Sequence, residues 1–223
     1  MSSSTTHAII GGVFGLALLR LAPELVPPAL DQLTGGPGLV RDLAVLALTA
    51  LLATWPDIEE PGSWIAQRVR GVCVLLGLGL GALVGLAGFP AGLVPAGLLR
   101  VALGGLVGTL AGLLMGLLIP RLVRLAAGGH RRLTHSLVCA AALAGAALLL
   151  PQVGLAPLAV VPAALALGVL LHIPGDLVTP AGLPLLYPLI DRSIRLLPRP
   201  LAHLGESLIL AATFAAGVLL LRS

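Results

Sequence analysis

Seven apolar stretches make up most of this 223-residue chain. They run over residues 8–21, 39–55, 71–89, 98–119, 136–150, 157–172 and 204–221. A helix of about 20 apolar residues can cross a bilayer. The pattern therefore predicts an all-α, polytopic membrane helix bundle with six or seven transmembrane helices, because several stretches are shorter than that length. Residues 1–223 are predicted to form a single integral membrane domain.

Glycine and proline positions refine this prediction. Glycines fall at every fourth residue in the third stretch (Gly77 to Gly85) and in the fourth (Gly104 to Gly116). This spacing lets helix backbones approach closely in lipid, so each of these two helices is predicted to pack closely against a neighbouring helix. Residues 173–203 are rich in proline, which predicts an irregular segment at the membrane interface before the last helix.

The composition agrees with a membrane protein. Charged residues make up 10% of the chain, whereas a soluble domain needs about 25%. This excludes a nucleic-acid-binding domain and a disulfide-stapled secreted scaffold. The two cysteines, Cys73 and Cys139, lie inside apolar stretches and lack the spacing of metal ligands.

All 13 basic residues are arginines. If seven segments alternate across the membrane, nine of these arginines fall on the side that carries the N-terminus. By the positive-inside rule this side is cytoplasmic. The alternative explanation for the excess of arginine is a bias in composition together with the arginines that cytoplasmic loops ordinarily carry.

Titratable groups gather on the same predicted side. All five histidines fall there, at positions 7, 130, 135, 172 and 203. The carboxylates of Asp57, Glu59, Glu60 and Asp176 join them. Ligands from separate loops can converge only if the helices deliver them to one membrane surface, so the pattern predicts one polar site at headgroup depth.

His172 and Asp176 are four residues apart, the spacing that places two side chains on one helical face. Both could hold one metal ion, or Asp176 could orient His172. The alternative is an ordinary hydrogen-bonding pair at a helix end, with Pro174 breaking the helix between them.

Two further segments carry candidate chemistry. In the run from His130 to Ser136, Thr134 is predicted to cap the fifth helix, with His135 its first residue. Arg131 and its neighbour Arg132 could hold a phosphate, or could be a positive-inside anchor. Residues 55–63 contain the three carboxylates Asp57, Glu59 and Glu60, which suit hard cations but are also typical of a solvated turn.

These motifs together resemble the YdjM-like family of inner-membrane-associated proteins, which are predicted metal-dependent hydrolases. The resemblance rests on Thr6-His7, on residues 56–59, on the His-Arg-x-x-Thr-His-Ser motif at 130–136 and on His-x-x-x-Asp-x-x-Thr-x-x-Gly at 172–182. It implies an inner (plasma) membrane location, a divalent metal and hydrolysis. The matching metal-ligand positions are His7, Asp57, His130, His135, His172 and Asp176. Glu59 and Glu60 stand where the family more often has Asp and then His.

We therefore expect a membrane-embedded hydrolase that holds one or two divalent ions, and zinc suits imidazole and carboxylate ligands best. Manganese and magnesium are alternatives. Asp57, Glu59 or Glu60 would act as general base, and Arg131 would neutralise phosphate charge in the transition state. Membrane lipids are the expected partners, and a lipid-borne phosphoester is the expected substrate. The rival hypothesis is a non-enzymatic metal-binding scaffold or a transporter.

Overall fold

The computed structural model describes residues 4–26, 34–87 and 97–222. This part of the chain is all-α and contains seven α-helices, which correspond in order to the seven apolar stretches. They are α1 (Ser4–Leu21), α2 (Leu39–Leu52), α3 (Trp64–Ala87), α4 (Leu98–Ala126), α5 (Leu137–Leu149), α6 (Val160–Leu177) and α7 (Arg199–Arg222). The all-helical prediction is confirmed.

Four of the described helical segments are long and apolar enough to cross a membrane. These are α1, α3, α4 and the segment Ala156–Leu177 that contains α6. The other apolar helices, α2, α5 and α7, have fewer apolar residues in a row than a span needs. A count of six or seven spans therefore stays a prediction.

The chain divides into two compact units. The first combines residues 1–56 with 131–223, and the second is Asp57–His130. In the first unit α1 packs against α2, α6 and α7, while α5 packs against α6. The core of this unit contains Val169, Ile173 and Leu183, all buried, with Trp55 packed beside them. The single-domain prediction stays a prediction.

The close helix packing that glycine spacing predicts is found between α3 and α4 in the second unit, and the sequence did not indicate that these two helices are each other's partners. A Cβ on Gly77 would collide with the carbonyl oxygen of Gly108, and one on Gly81 with that of Gly104. Residue numbers rise along one helix as they fall along the other, so the two helices are antiparallel. Close backbone contact of this kind is how small residues stabilise helix pairs in lipid.

Several predicted boundaries were wrong, among them the end of α6 at Leu177 and the start of α7 at Arg199, which shorten the irregular segment predicted over residues 173–203. Helix α4 does not end before Pro120 but continues through it to Ala126. Its packing continues at least to Gly116, which lies against Arg70 of α3, and this offsets the lost backbone hydrogen bond. Helix α3 likewise begins at Trp64, seven residues earlier than predicted.

A further correction concerns the start of α5. Residues Leu133–His135 form a 3-10 turn, and Ser136 rather than Thr134 caps the helix, because its Oγ accepts a hydrogen bond from the backbone N–H of Cys139. His135 therefore precedes α5. The Thr134 hydroxyl instead lies 2.9 Å from Nδ1 of His135.

Candidate metal centre

Helix α6 carries two of the predicted site residues one turn apart. It continues through Pro174 to Leu177, so the proline does not separate His172 from Asp176. Both side chains are fully buried, and Nε2 of His172 lies 3.4 Å from Oδ2 of Asp176. The predicted pairing on one helical face is confirmed.

Two more histidines of the first unit reach the same carboxylate. Nε2 of His7, from α1, lies 3.5 Å from Oδ1 of Asp176. Nε2 of His135 lies 3.7 Å from Oδ2. The rings of His7 and His172 are stacked with centroids 3.6 Å apart, and His135 meets His172 edge-on at 4.7 Å. Three buried imidazoles from distant parts of the sequence thus surround one buried carboxylate.

The backbone carbonyl of Ala53 sets the tautomer of His172. Nδ1 of His172 lies 2.8 Å from this oxygen, and a carbonyl can only accept a hydrogen bond, so Nδ1 carries the proton. A neutral imidazole then presents the Nε2 lone pair to the Asp176 carboxylate. Two acceptors facing each other away from water require a cation between them. A proton on Nε2 or a metal ion would satisfy this requirement.

The separations suit a metal ion. With bonds of about 2.0–2.1 Å, the ligand atoms of a tetrahedral zinc ion lie about 3.3–3.4 Å apart. The distances of 3.4 and 3.5 Å from Asp176 to His172 and His7 are close to this value. Ligand atoms of His7, His172 and Asp176 all lie within 4.8 Å of one another. A hydrogen bond to the other ring nitrogen, as at His172, is usual for a metal-binding histidine.

Arg131 holds the second oxygen of the carboxylate. Its guanidinium donates to Oδ1 of Asp176 at 2.9 Å and to Oγ1 of Thr179 at 3.2 Å. The Thr179 hydroxyl in turn donates to the backbone carbonyl of Asp176 at 2.7 Å. Arg131 has a φ of 56°, a left-handed backbone conformation that is strained for a residue other than glycine. Strain of this kind is common where a side chain must be placed for function.

Gly175 makes room for the His7 ring. A Cβ at this position would lie 2.6 Å from Cε1 and 2.7 Å from Nδ1 of His7. Sequence reasoning missed this residue, although its place between His172 and Asp176 was a signal that space is needed there. Without a side chain at 175, α1 and α6 can approach closely enough to share the centre.

We expect Gly175→Ala to lower metal affinity about 10-fold or more, because the new methyl group must displace the His7 ring. The variant α6 should remain helical, since alanine favours helix over glycine. Metal affinity of the purified protein measures the effect. Gly145→Ala in α5 is the matched control, because a Cβ there meets nothing within 4 Å. Equal affinities for the two variants would contradict the assigned packing.

The N-terminal turn of α1 is fixed by a second missed contact. Thr6, which precedes His7 in the sequence, is fully buried. Its hydroxyl donates to Oε1 of Glu206 in α7 at 2.6 Å. The sequence signal for this contact was Glu206, a single acidic residue inside an apolar helix. The contact joins α1 to α7 next to the metal centre. The side chain of His203, also in α7, lies outside the described residues.

The other predicted site residues belong to the second unit. There, Nδ1 of His130 lies 3.2 Å from Oε1 of Glu59 and 3.8 Å from Oε2 of Glu60. Glu59 is fully buried, and Glu60 also pairs with Arg124 at 3.5 Å. The backbone carbonyl of Asp57 accepts a hydrogen bond from Oγ of Ser63. The predicted roles of Asp57, Glu59 and Glu60 as general base, and of Asp57 and His130 as metal ligands, stay predictions.

A family model described as "YdjM inner membrane protein" matches residues 1–221 of the chain. No curated protein and no solved structure matches the chain significantly. The match covers the whole set of motifs that suggested the resemblance, including the three histidines and the aspartate of the centre described above.

Proposed function

Because the chain belongs to the family of the YdjM inner membrane protein, we propose that it is a membrane-embedded, metal-dependent hydrolase of a lipid-borne phosphoester. Its helices and its family make it a membrane protein. The observation that carries the proposal is the convergence of His7, His135 and His172 on buried Asp176. This donor set can bind a metal ion, and zinc suits it best.

The charges around Asp176 favour an anionic substrate. The Asp176 carboxylate is already paired with the Arg131 guanidinium, and neutral histidines add no charge. The positive charge of a bound divalent ion is then left without compensation at a buried site, which is unfavourable unless anionic ligands join it. A phosphoester together with hydroxide would supply that negative charge.

The metal would supply a water molecule whose pKa is lowered towards about 7 and would polarise the phosphoryl group. His7, His135, His172 and Asp176 would hold the ion, and the Ala53 carbonyl would keep Nε2 of His172 unprotonated. Arg131, held by Asp176 and Thr179, would stabilise negative charge that develops on phosphate. We also retain Asp57, Glu59 and Glu60 as proposed general bases.

Membrane orientation is part of the proposal. Nine of the thirteen arginines fall on one side if seven segments alternate, which favours a cytoplasmic N-terminus and a site at the inner leaflet. A substrate embedded in that leaflet could present its phosphate at headgroup depth without leaving the membrane.

Metal analysis of the detergent-purified protein, followed by a hydrolysis screen on phospholipids and other lipid phosphoesters, tests the proposal. We expect one or two zinc ions per chain, and phosphoester cleavage that a chelator stops and added zinc restores. Stoichiometric metal without turnover of any phosphoester would favour the scaffold hypothesis. A protein that neither carries nor takes up metal would contradict both.

A further inference from the structure

The segment between α6 and α7 forms a loop that is closed at its base. Leu183 and Ile194 exchange two backbone hydrogen bonds, of 2.9 and 2.8 Å, and the backbone N–H of Leu196 donates to the carbonyl of Leu177 at 2.9 Å. Leu183 is fully buried in the core of the first unit. The backbone of this loop is therefore anchored to the rest of its unit.

The tip of the loop presents large apolar side chains outward. Leu189 is 78% exposed and Ile190 is 51% exposed, and Leu186 beside them is also exposed. Large apolar side chains that are this exposed are unfavourable in water and are stabilised by an apolar neighbour. The loop follows directly on α6, which ends a segment long enough to cross the membrane. Lipid is therefore the neighbour that chain connectivity places beside the tip.

Charges on the loop indicate which lipids it meets. Its one acid, Asp191, is paired with Arg132 at 3.3 Å, and the Arg132 guanidinium also lies over the Tyr187 ring. Arg192 and Arg195 are exposed, and Arg195 donates to the carbonyl of Pro180. Because the acid is neutralised, the loop has a net positive surface around an apolar tip. Tyrosine and arginine are typical of the headgroup region, and arginine favours anionic phosphate.

We propose that residues 183–196 are a lipid-binding loop, whose tip at Leu189 and Ile190 inserts below the headgroups while Arg192 and Arg195 bind anionic lipid phosphates. This loop contacts the segment 131–135, which carries Arg131 and His135, because Arg132 of that segment pairs with Asp191. The lipid contact itself does not depend on the proposed hydrolysis.

Tryptophan fluorescence in proteoliposomes tests the insertion. The full chain carrying Leu189→Trp is reconstituted with lipids brominated in their acyl chains, and the emission of the unsubstituted protein is subtracted. We expect strong quenching of the introduced tryptophan, and weaker quenching for Glu24→Trp, which replaces an exposed charged residue in the turn after α1, outside the candidate spans. An introduced tryptophan at 189 that bromolipids do not quench would overturn the insertion, whether water or a second copy of the chain covers the tip.

Selectivity is measured on the same reporter with brominated phosphatidylglycerol and brominated phosphatidylcholine, each in an otherwise unlabelled bilayer. We expect at least about twofold stronger quenching by phosphatidylglycerol, decreasing at high salt. Adding Arg192→Gln and Arg195→Gln should bring the two lipids to parity while leaving the tip inserted. Equal quenching by both lipids before these substitutions would overturn the anionic-lipid assignment. Neither readout requires turnover, so failure of the hydrolase proposal would not imitate failure of this one.

Discussion

Replacing His172 by alanine should reduce the bound metal of the purified protein to background and abolish chelator-sensitive hydrolysis. His172 faces Asp176 at 3.4 Å through Nε2 and is the histidine whose tautomer is fixed by a backbone carbonyl. Loss of a partner that only orients a ligand typically costs 10- to 100-fold in metal affinity. Loss of the ligand itself should exceed about 100-fold. Zinc content and a titration of zinc affinity measure the effect.

Two further variants make this result interpretable. Thr134→Val removes the hydroxyl that lies 2.9 Å from Nδ1 of His135 and should cost about 10-fold in affinity, as expected for an orienting group. Gln152→Ala, at an exposed position after α5, should bind metal like the unsubstituted protein. Full metal occupancy in His172→Ala, with the same helical circular dichroism, would refute the proposed centre.

The variant His130→Ala tests whether His130, in the second unit, is a metal ligand. His130 contacts Glu59 and Glu60 there, and the sequence predicts that it is a metal ligand. If that prediction is right, the variant should lose metal from the purified chain. Retention of all metal would remove His130 from the ligand set.

The sequence predicted the helices well because their signal is local. Each apolar stretch can be recognised without knowledge of its neighbours, and glycine spacing identified α3 and α4 as helices that pack closely, although not as partners of each other. The His172–Asp176 pair was also predictable, since helical periodicity alone brings residues four apart together. Boundaries were less predictable: Pro120 and Pro174 look like helix breakers, but packing or burial keeps both inside helices.

Contacts between distant segments could not be read from the sequence. Nothing in residues 1–10 indicates that the His7 ring lies over Gly175, and nothing near Ala53 indicates that its carbonyl binds His172. These contacts depend on how α1, α2 and α6 pack, which is a property of the assembled unit. For the same reason the sequence assigned Arg131 to the substrate but did not anticipate that its guanidinium pairs with Asp176.

Asp176→Asn should both remove metal and destabilise the fold. The Arg131 guanidinium, whose side chain is 10% exposed, would lose the carboxylate that it contacts at 2.9 Å. Removing one partner of a buried ion pair costs about 3–5 kcal/mol because the other charge stays buried without compensation. The asparagine oxygen can still accept a hydrogen bond, so we expect about 3 kcal/mol. Denaturant or thermal unfolding in detergent, with metal analysis in parallel, measures both effects.

Combining Asp176→Asn with Arg131→Gln separates the two roles of the carboxylate. The double variant buries neither charge, so it should recover most of the lost stability while still failing to bind metal. Arg131→Gln alone should be destabilised as well, but added zinc should restore its stability, because a cation bound by the histidines and Asp176 replaces the missing positive charge. Zinc that stabilises Asp176→Asn as strongly as Arg131→Gln would show that the ion binds elsewhere.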